Sequence, residues 1–124
     1  MARSHRIGRE HRHTYWDNAL APVLEIAPGD EVYFECLDAS NGQVTPESSA
    51  EAVRHLDFDN VNPVTGPVYV AGAEPGDALK ITLGDFVPSG WGWSANIPEF
   101  GLLAADFPDP YMHHWHYPPE LRDA

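Results

Sequence analysis

The chain carries a single cysteine, Cys36, among 124 residues, so no intrachain disulfide can staple its fold. Cations are scarce too. Seven Lys and Arg against nineteen Asp and Glu leave a formal net charge of -12, which excludes nucleic acid and anionic membrane as partners, because either surface repels such a protein. Long hydrophobic runs are missing: no stretch approaches the roughly 20 apolar residues of a membrane-spanning helix, and the N-terminus lacks the apolar run of a secretory signal. A cytoplasmic location is therefore expected, and a lone thiol is compatible with a reducing compartment. Also absent are a Gly-x-Ser-x-Gly elbow, a His-Glu-x-x-His helix, a phosphate-binding Gly-rich loop and a zinc-knuckle Cys pair. These absences remove the commonest sequence signatures of serine hydrolases, zinc proteases and nucleotide-binding proteins.

What is present suffices for a folded core. Hydrophobic residues make up 43% and aromatics 11% of the chain, more than a disordered acidic sequence carries, and the length suits one domain. Four of the seven basic residues, Arg3, Arg6, Arg9 and Arg12, fall in the first twelve positions. Residues 1–12 thus read as a polar basic arm, and 13–124 as the folded domain.

From Val23 onward, short apolar runs alternate with Pro and Gly punctuation, the pattern of strands joined by turns. The fold class is mainly β: an antiparallel sandwich or barrel-like domain with one short helix and a long aromatic and Pro-rich C-terminal loop region. In Glu31 to Leu37, a two-residue period puts Val32, Phe34 and Cys36 on one face. In Ala78 to Val87 it turns Leu79, Ile81 and Leu83 inward and Lys80 and Thr82 outward. Pro22 to Ile26 and Pro67 to Val70 are shorter strand candidates. Ala27-Pro28-Gly29-Asp30 and Glu74-Pro75-Gly76-Asp77 each spell a type II turn, with Pro presetting φ and Gly supplying positive φ. A capping box of Ser48 and Glu51 predicts a helix from Ser48 to Leu56. Beyond Val87 the chain has no lasting periodicity and reads as ordered loop in need of a covering surface, with Trp91, Trp93, Phe100, Phe107 and Trp115 exposed.

Four clusters are candidates for chemistry. His11 and His13, two apart, face one side of an extended strand and suit metal coordination, or else belong to a polar surface tethered by Trp16. Asp38 leaves a strand for the Ser40-Asn41-Gly42 turn, a place for a metal ligand or general base, or for an Asp that merely bonds its own backbone. Cys36 reads as a small buried hydrophobe rather than a nucleophile. Asp57 and Asp59 share one side of a two-residue period before the rigid Asn62–Pro67 turn, which suits cation binding, acid/base work or a solvated loop. His113, His114 and His116 form a dense group, but adjacent histidines do not readily face one metal.

One ordered series of segments resembles a known family: His13-x-x-Trp16, Ala27-Pro28-Gly29-Asp30, Asp38-Ala39 with Gly42-Gln43, Asn62-Pro63-x-Thr65-Gly66-Pro67-Val68, and Val70-x-Gly72-Ala73-Glu74-Pro75-Gly76-Asp77. In order and spacing these are similar to the N-terminal portion of acetamidase/formamidase proteins, over roughly Arg12 to Trp115. The resemblance implies a β-rich hydrolase that splits the C–N bond of short linear amides to carboxylate and ammonia. Family chains run considerably longer and carry later Gly-Gly-Asn-x-Asp and Gly-Asp-Gly-Glu segments, neither of which occurs here. The expectation is a truncated portion, inactive alone, of a protein that is a homo-oligomer at full length. Without a convincing nucleophile, metal-activated water is the mechanism implied, with zinc or calcium as the ion. The candidates are His13 and Asp38 as metal ligands and Asp38 and Asp57 as catalytic carboxylates. Gln43, Thr65 and Gly66 shape a pocket for the amide. The main alternative is a noncatalytic β-sandwich module in which Trp91 and Trp93 stack on a sugar or meet a protein partner. A copper-binding cupredoxin-like domain lacks a convincing ligand arrangement.

Overall fold

The computed structural model describes residues 1–120, so the last four positions of the expected 13–124 domain lie outside the described residues. The chain folds as two compact units, where one was expected. The first joins Met1–Gly42 to Asp57–Lys80; the second joins Gln43–Leu56 to the chain from Ile81 onward. Both are mainly β.

The first unit holds β1 (Ser4–Ile7), β2 (Arg12–His13), β3 (Leu24–Ile26) and β4 (Glu31–Phe34), then a 3-10 turn at Phe58–Asn60, β5 (Val64–Thr65) and β6 (Val68–Val70). These form three two-stranded ladders, β1 with β4 and β3 with β6 parallel, and β2 with β5 antiparallel. The antiparallel expectation therefore holds for only one of the three. Parallel pairing requires a crossover between partners, and the intervening elements supply it: β2 and β3 lie between β1 and β4 in sequence.

Within the expected polar arm, Ser4–Ile7 form β1. Its hydrophobic residue, Ile7, is 3% exposed and is the buried apolar residue of this unit. Ile7 sits opposite Phe34 in the ladder, and its carbonyl accepts from the Glu35 N–H at 3.0 Å. The arginines do not float either. Arg6 pairs with Glu35, joined by Arg9 at 3.9 Å, and the Arg6 guanidinium lies 5.1 Å from the Tyr33 ring centre. The segment reads as a solvated arm because Glu35, the partner of Arg6 and Arg9, lies far along the sequence.

Both type II turns form as expected. Asp30 N–H donates to the Ala27 carbonyl at 3.1 Å and Asp77 N–H to the Glu74 carbonyl at 3.0 Å, while Gly29 and Gly76 take φ of 91° and 102°. Each Asp closes its turn a second time, its carboxylate accepting from the Ala27 or Glu74 N–H. A Cβ at Gly29 or Gly76 meets nothing within 4 Å, so alanine there strains the backbone without a clash. Gly29→Ala and Gly76→Ala should each cost about 1–2 kcal/mol in urea unfolding; a loss near zero would mean the turns relax to negative φ.

The second unit contains α1 (Glu51–Arg54), β7 (Trp91–Asn96) and β8 (Tyr111–His116). The helix is a single turn rather than the Ser48–Leu56 expected, and its N-cap is Ala50 with no side-chain cap. Ser48 is spent elsewhere: its Oγ accepts from the Thr45 N–H at 2.9 Å. Val44 and Val53 are the buried apolar residues here.

The expected C-terminal loop is replaced by a six-residue antiparallel ladder, Trp91 opposite His116 through Asn96 opposite Tyr111. Gly92 pairs with Trp115, whose indole Nε1 donates to Ser94 Oγ at 2.9 Å. Asn96 then ties down the connecting loop by donating to the Phe107 and Asp109 carbonyls. Trp91 and Trp93 are half-buried rather than exposed; Phe100, Phe107 and Trp115 are exposed as expected. Among the described residues no sheet has more than two strands, and no helix is long and apolar enough to cross a membrane.

The predicted strand from Ala78 to Val87 is not in any ladder among the described residues. A strand is defined by its neighbour, and alternating apolar residues do not supply one.

Candidate active site

The first unit gathers most of the sequence-predicted site residues through bonds between segments distant in sequence. Pairing of β2 with β5 sets Arg12 opposite Thr65 and His13 opposite Val64, and Gly66 N–H donates to the His11 carbonyl at 2.9 Å. Arg12 Nε reaches Asn41 Oδ1 at 2.8 Å, bringing the 38–42 turn alongside β2. That turn is pinned from the other direction, because Asn62 N–H donates to the Ala39 carbonyl at 2.7 Å. Thr14 Oγ1 contacts the Asp59 carbonyl at 3.5 Å, which draws in the turn that begins at Asp57. These bonds link the segments that carry His13, Asp38, Asp57, Thr65 and Gly66. Gln43 belongs to the second unit.

His13 has an unusual environment. Its Nδ1 is buried and has no hydrogen-bond partner among the described residues. Buried polar atoms are nearly always paired, since an unpaired one forfeits its bonds to water. An orphaned imidazole nitrogen can accept a proton, bind a water or ligate a cation.

The carboxylates are differently disposed. Asp38 Oδ2 accepts from Ser40 N–H at 3.0 Å and Ser40 Oγ–H at 2.6 Å, and its Oδ1 accepts from Gly42 N–H at 2.9 Å. The side chain organises its own turn, and Ser40, 1% exposed, is fixed with it. Asp57 caps the 3-10 turn, accepting from Asp59 N–H at 3.0 Å and from the Asn60 amide. The cap bends the backbone, so Asp57 and Asp59 do not share a face of extended chain as the two-residue period requires. Thr65 Oγ1 donates to the Glu35 carbonyl at 2.7 Å, leaving its oxygen able to accept. Gly66 is buried at φ 134°, a backbone value that excludes most side chains. Cys36 is exposed rather than buried.

Among the described residues no three His, Cys, Asp or Glu converge closely enough to hold a metal ion. His13 is suited to be one ligand of a divalent cation, and the described residues do not complete its cage.

One paired group was not legible as such in the sequence. Asp30, a turn residue by its motif, accepts from Arg3 N–H at 2.9 Å, Ala27 N–H at 3.1 Å and His5 Nε2 at 2.9 Å, with its side chain 6% exposed. A carboxylate only accepts, so His5 Nε2 carries the proton. The Arg3 N–H, then the His5 bond, hold the carboxyl down from 3.8 to about 2. Glu35 is lowered in the same sense, first by the Arg6 hydrogen bond. A carboxyl depressed on folding stabilises the fold above its unfolded value and withdraws that contribution as pH falls through its folded value. Far-UV circular dichroism should therefore show stability falling from about pH 4 to about pH 2, and Asp30→Asn should shrink that fall. An unchanged acid limb in the variant would remove Asp30 from the account.

In the second unit, Trp91 Nε1 donates to His114 Nδ1 at 3.1 Å, and His114 Nε2 lies 2.8 Å from the Ser48 carbonyl. An indole N–H only donates, so Nδ1 is the acceptor and Nε2 bears the proton. Both nitrogens are thereby occupied, and His114 is not available to a metal. The same pairing turns Trp91 onto the His114 ring, centroids 5.9 Å apart, which removes it from the open aromatic platform that a sugar-binding module needs.

A sequence model of the acetamidase/formamidase family matches residues 2–122. The chain is 33% identical over 111 residues to the formamidase of Methylophilus methylotrophus, covering 85% of this chain and 27% of that protein. It is 31% identical over 118 residues to the acetamidase of Mycolicibacterium smegmatis, covering 85% and 29% respectively. Its fold is similar to that of a protein from Thermoanaerobacter tengcongensis described as a predicted acetamidase/formamidase, at TM-score 0.84 and 24% identity, over 95% of this chain and 38% of that one. The chain thus spans under a third of the length of these two curated relatives. On the match across nearly its whole length, the chain belongs to the acetamidase/formamidase family.

Proposed function

We propose that the first unit contributes part of the active site of a hydrolase that splits the C–N bond of short linear amides, giving carboxylate and ammonia. The observation that carries this reading is the buried, unpartnered Nδ1 of His13, on the strand that pairs with Val64–Thr65, in a family whose named relatives are formamidases and acetamidases.

An unactivated amide needs a strong nucleophile and a stabilised oxyanion. Among the described residues no base or cation contacts the Cys36 thiol, whose hydrogen bond goes to the Phe34 carbonyl at 3.9 Å, so nothing here activates it as a nucleophile. Water is the remaining nucleophile. A divalent ion, zinc or calcium, would when bound lower the pKa of that water, with His13 and Asp38 as the ligands this chain offers. His13 Nδ1 holds the water or a ligand position, and Asp38 is fixed in direction by the donors of Ser40 and Gly42. Asp57 is the second carboxylate for proton transfer, and the Thr65 oxygen and the Gly66 turn bound the space for a small amide. The rest of the site comes from outside this chain, in an assembly that is a homo-oligomer.

Calorimetric titration of the chain with zinc and with calcium tests the ligand assignment. His13→Ala should weaken binding by about 10-fold or more. Equal affinity in parent and variant would discard His13 as a ligand. Ammonia release from formamide and acetamide tests the incompleteness, and turnover by the isolated chain at about 1–10³ per second, the ordinary enzyme range, would refute it.

A further inference from the structure

Asn41 and Gly42 form the only Asn-Gly step in the sequence, at the tip of the turn that Asp38 organises. Asn41 takes φ of 58° and Gly42 of 81°, left-handed values that asparagine tolerates and glycine adopts freely. Water reaches this tip, since Gly42 is exposed and Asn41 half-buried. With no side chain of its own, Gly42 leaves its backbone nitrogen unshielded, and even a Cβ built there meets nothing within 4 Å.

Two charged groups converge on this step. Asp38 Oδ1 accepts from the Gly42 N–H at 2.9 Å, which puts a carboxylate within proton-transfer reach of a backbone nitrogen. Arg12 Nε donates to Asn41 Oδ1 at 2.8 Å, so a guanidinium sits where negative charge develops when the side-chain carbonyl is attacked. The same bond fixes the orientation of the amide, because only its oxygen accepts. Asn41 Nδ2 makes no hydrogen bond among the described residues, so nothing retains it as a leaving group. The backbone holds this arrangement in place. Asn41 N–H donates to the Asp38 carbonyl at 3.0 Å, and Asn62 N–H to the Ala39 carbonyl at 2.7 Å.

We propose that Asn41–Gly42 is a self-modification site, at which the folded chain deamidates its own asparagine through a cyclic imide. The Gly42 nitrogen attacks Asn41 Cγ while Asp38 takes the amide proton, and the Arg12 guanidinium stabilises the oxyanion. The tetrahedral carbon then breaks its bond to Nδ2, which leaves as ammonia with the proton returned by Asp38. Water opens the resulting succinimide at either carbonyl, to aspartate or to isoaspartate. One water enters and one ammonia departs, so no oxidant, reductant or other reactant is required. The aspartyl product sets a carboxylate against the Arg12 guanidinium. The isoaspartyl product instead adds a methylene to the backbone of the turn that carries Asp38.

The inference stands whether or not the protein hydrolyses other amides, and its test reads no turnover. Peptide mapping by mass spectrometry, with isoaspartyl methyltransferase labelling, follows position 41 in the chain incubated at neutral pH. A synthetic peptide of residues 38–44 is the unstructured reference, since it holds Asp38, Asn41 and Gly42 but lacks Arg12. The folded chain should convert at least about 10-fold faster than this peptide, while Asn18, Asn60, Asn62 and Asn96 stay intact. Unfolding the chain in urea should bring conversion down to the rate of the peptide in the same urea. Arg12→Gln should slow it by about 10-fold or more, with the far-UV circular dichroism unchanged, because Arg12 pairs with Thr65 through the main chain. Conversion no faster than the peptide's overturns the proposal, and means that the Gly42 bond to Asp38 shields the step instead of driving it. A rate that urea leaves unchanged, or equal rates in the parent and a folded Arg12→Gln, overturns it as well.

Discussion

Ammonia release from formamide should fall by about 10²–10⁴-fold when His13→Ala is introduced into a chimera in which this chain replaces the matched region of the Methylophilus methylotrophus formamidase. The magnitude is that of losing a positioned proton-transfer group, and it rests on one atom. His13 Nδ1 is buried and unpartnered among the described residues, so alanine costs the fold no hydrogen bond. The loss should appear in kcat with little change in stability. His13→Asn, which puts an amide oxygen near the position of Nδ1, should recover part of the rate. A chimera that keeps its rate after His13→Ala would show that the orphaned nitrogen is a packing accident. Thr65→Val serves as a contrast, because it breaks the bond to the Glu35 carbonyl and should reduce stability along with turnover.

The second large effect concerns β1. Ile7→Ala should destabilise the chain by about 2–5 kcal/mol, the range for deleting a buried aliphatic side chain. Whole domains are stable by only about 5–15 kcal/mol, so the variant should be close to unfolding at room temperature. Urea unfolding followed by far-UV circular dichroism measures this, with an unchanged m-value showing that the native state stays as compact. A loss under about 0.5 kcal/mol, the usual size of a surface substitution, would mean that Ile7 is buried without being anchored.

Sequence reading succeeded where the determining physics is local. Pro28 with Gly29 and Pro75 with Gly76 fix their turns through their own dihedral preferences, whatever surrounds them. Leu24–Ile26, Glu31–Phe34 and Val68–Val70 fall inside segments whose alternation or apolar run marked them. It failed where a partner far along the chain decides. Trp91–Asn96 becomes a strand only by meeting Tyr111–His116, and Ser4–Ile7 only by meeting Glu31–Phe34. Leu79–Leu83 shows the converse, a strand pattern with no partner among the described residues. The helix was overestimated because Ser48 had a competing use, accepting from Thr45.

The site divides along the same line. Asp38 and Asp57 each sit beside turn residues, and in the structure their carboxylates serve those turns. For Asp38 that use was among the alternatives open in the sequence; for Asp57 it was not. The isolation of His13 Nδ1 was not readable, since it depends on what segments distant in sequence fail to offer. Nor was the joining of His5 to Asp30, 25 residues apart.

The tryptophans give the two units different optical labels. Trp91, Trp93 and Trp115 all lie in the second unit, tied to His114 and Ser94 among others. The first unit has only Trp16, 94% exposed, whose emission has little further to shift when its surroundings melt. Intrinsic fluorescence therefore reports the hairpin, while the unit holding His13 can open almost unseen. A single sharp emission transition would then describe one half of the chain, and loss of Ile7 packing would register in circular dichroism well before it did in fluorescence.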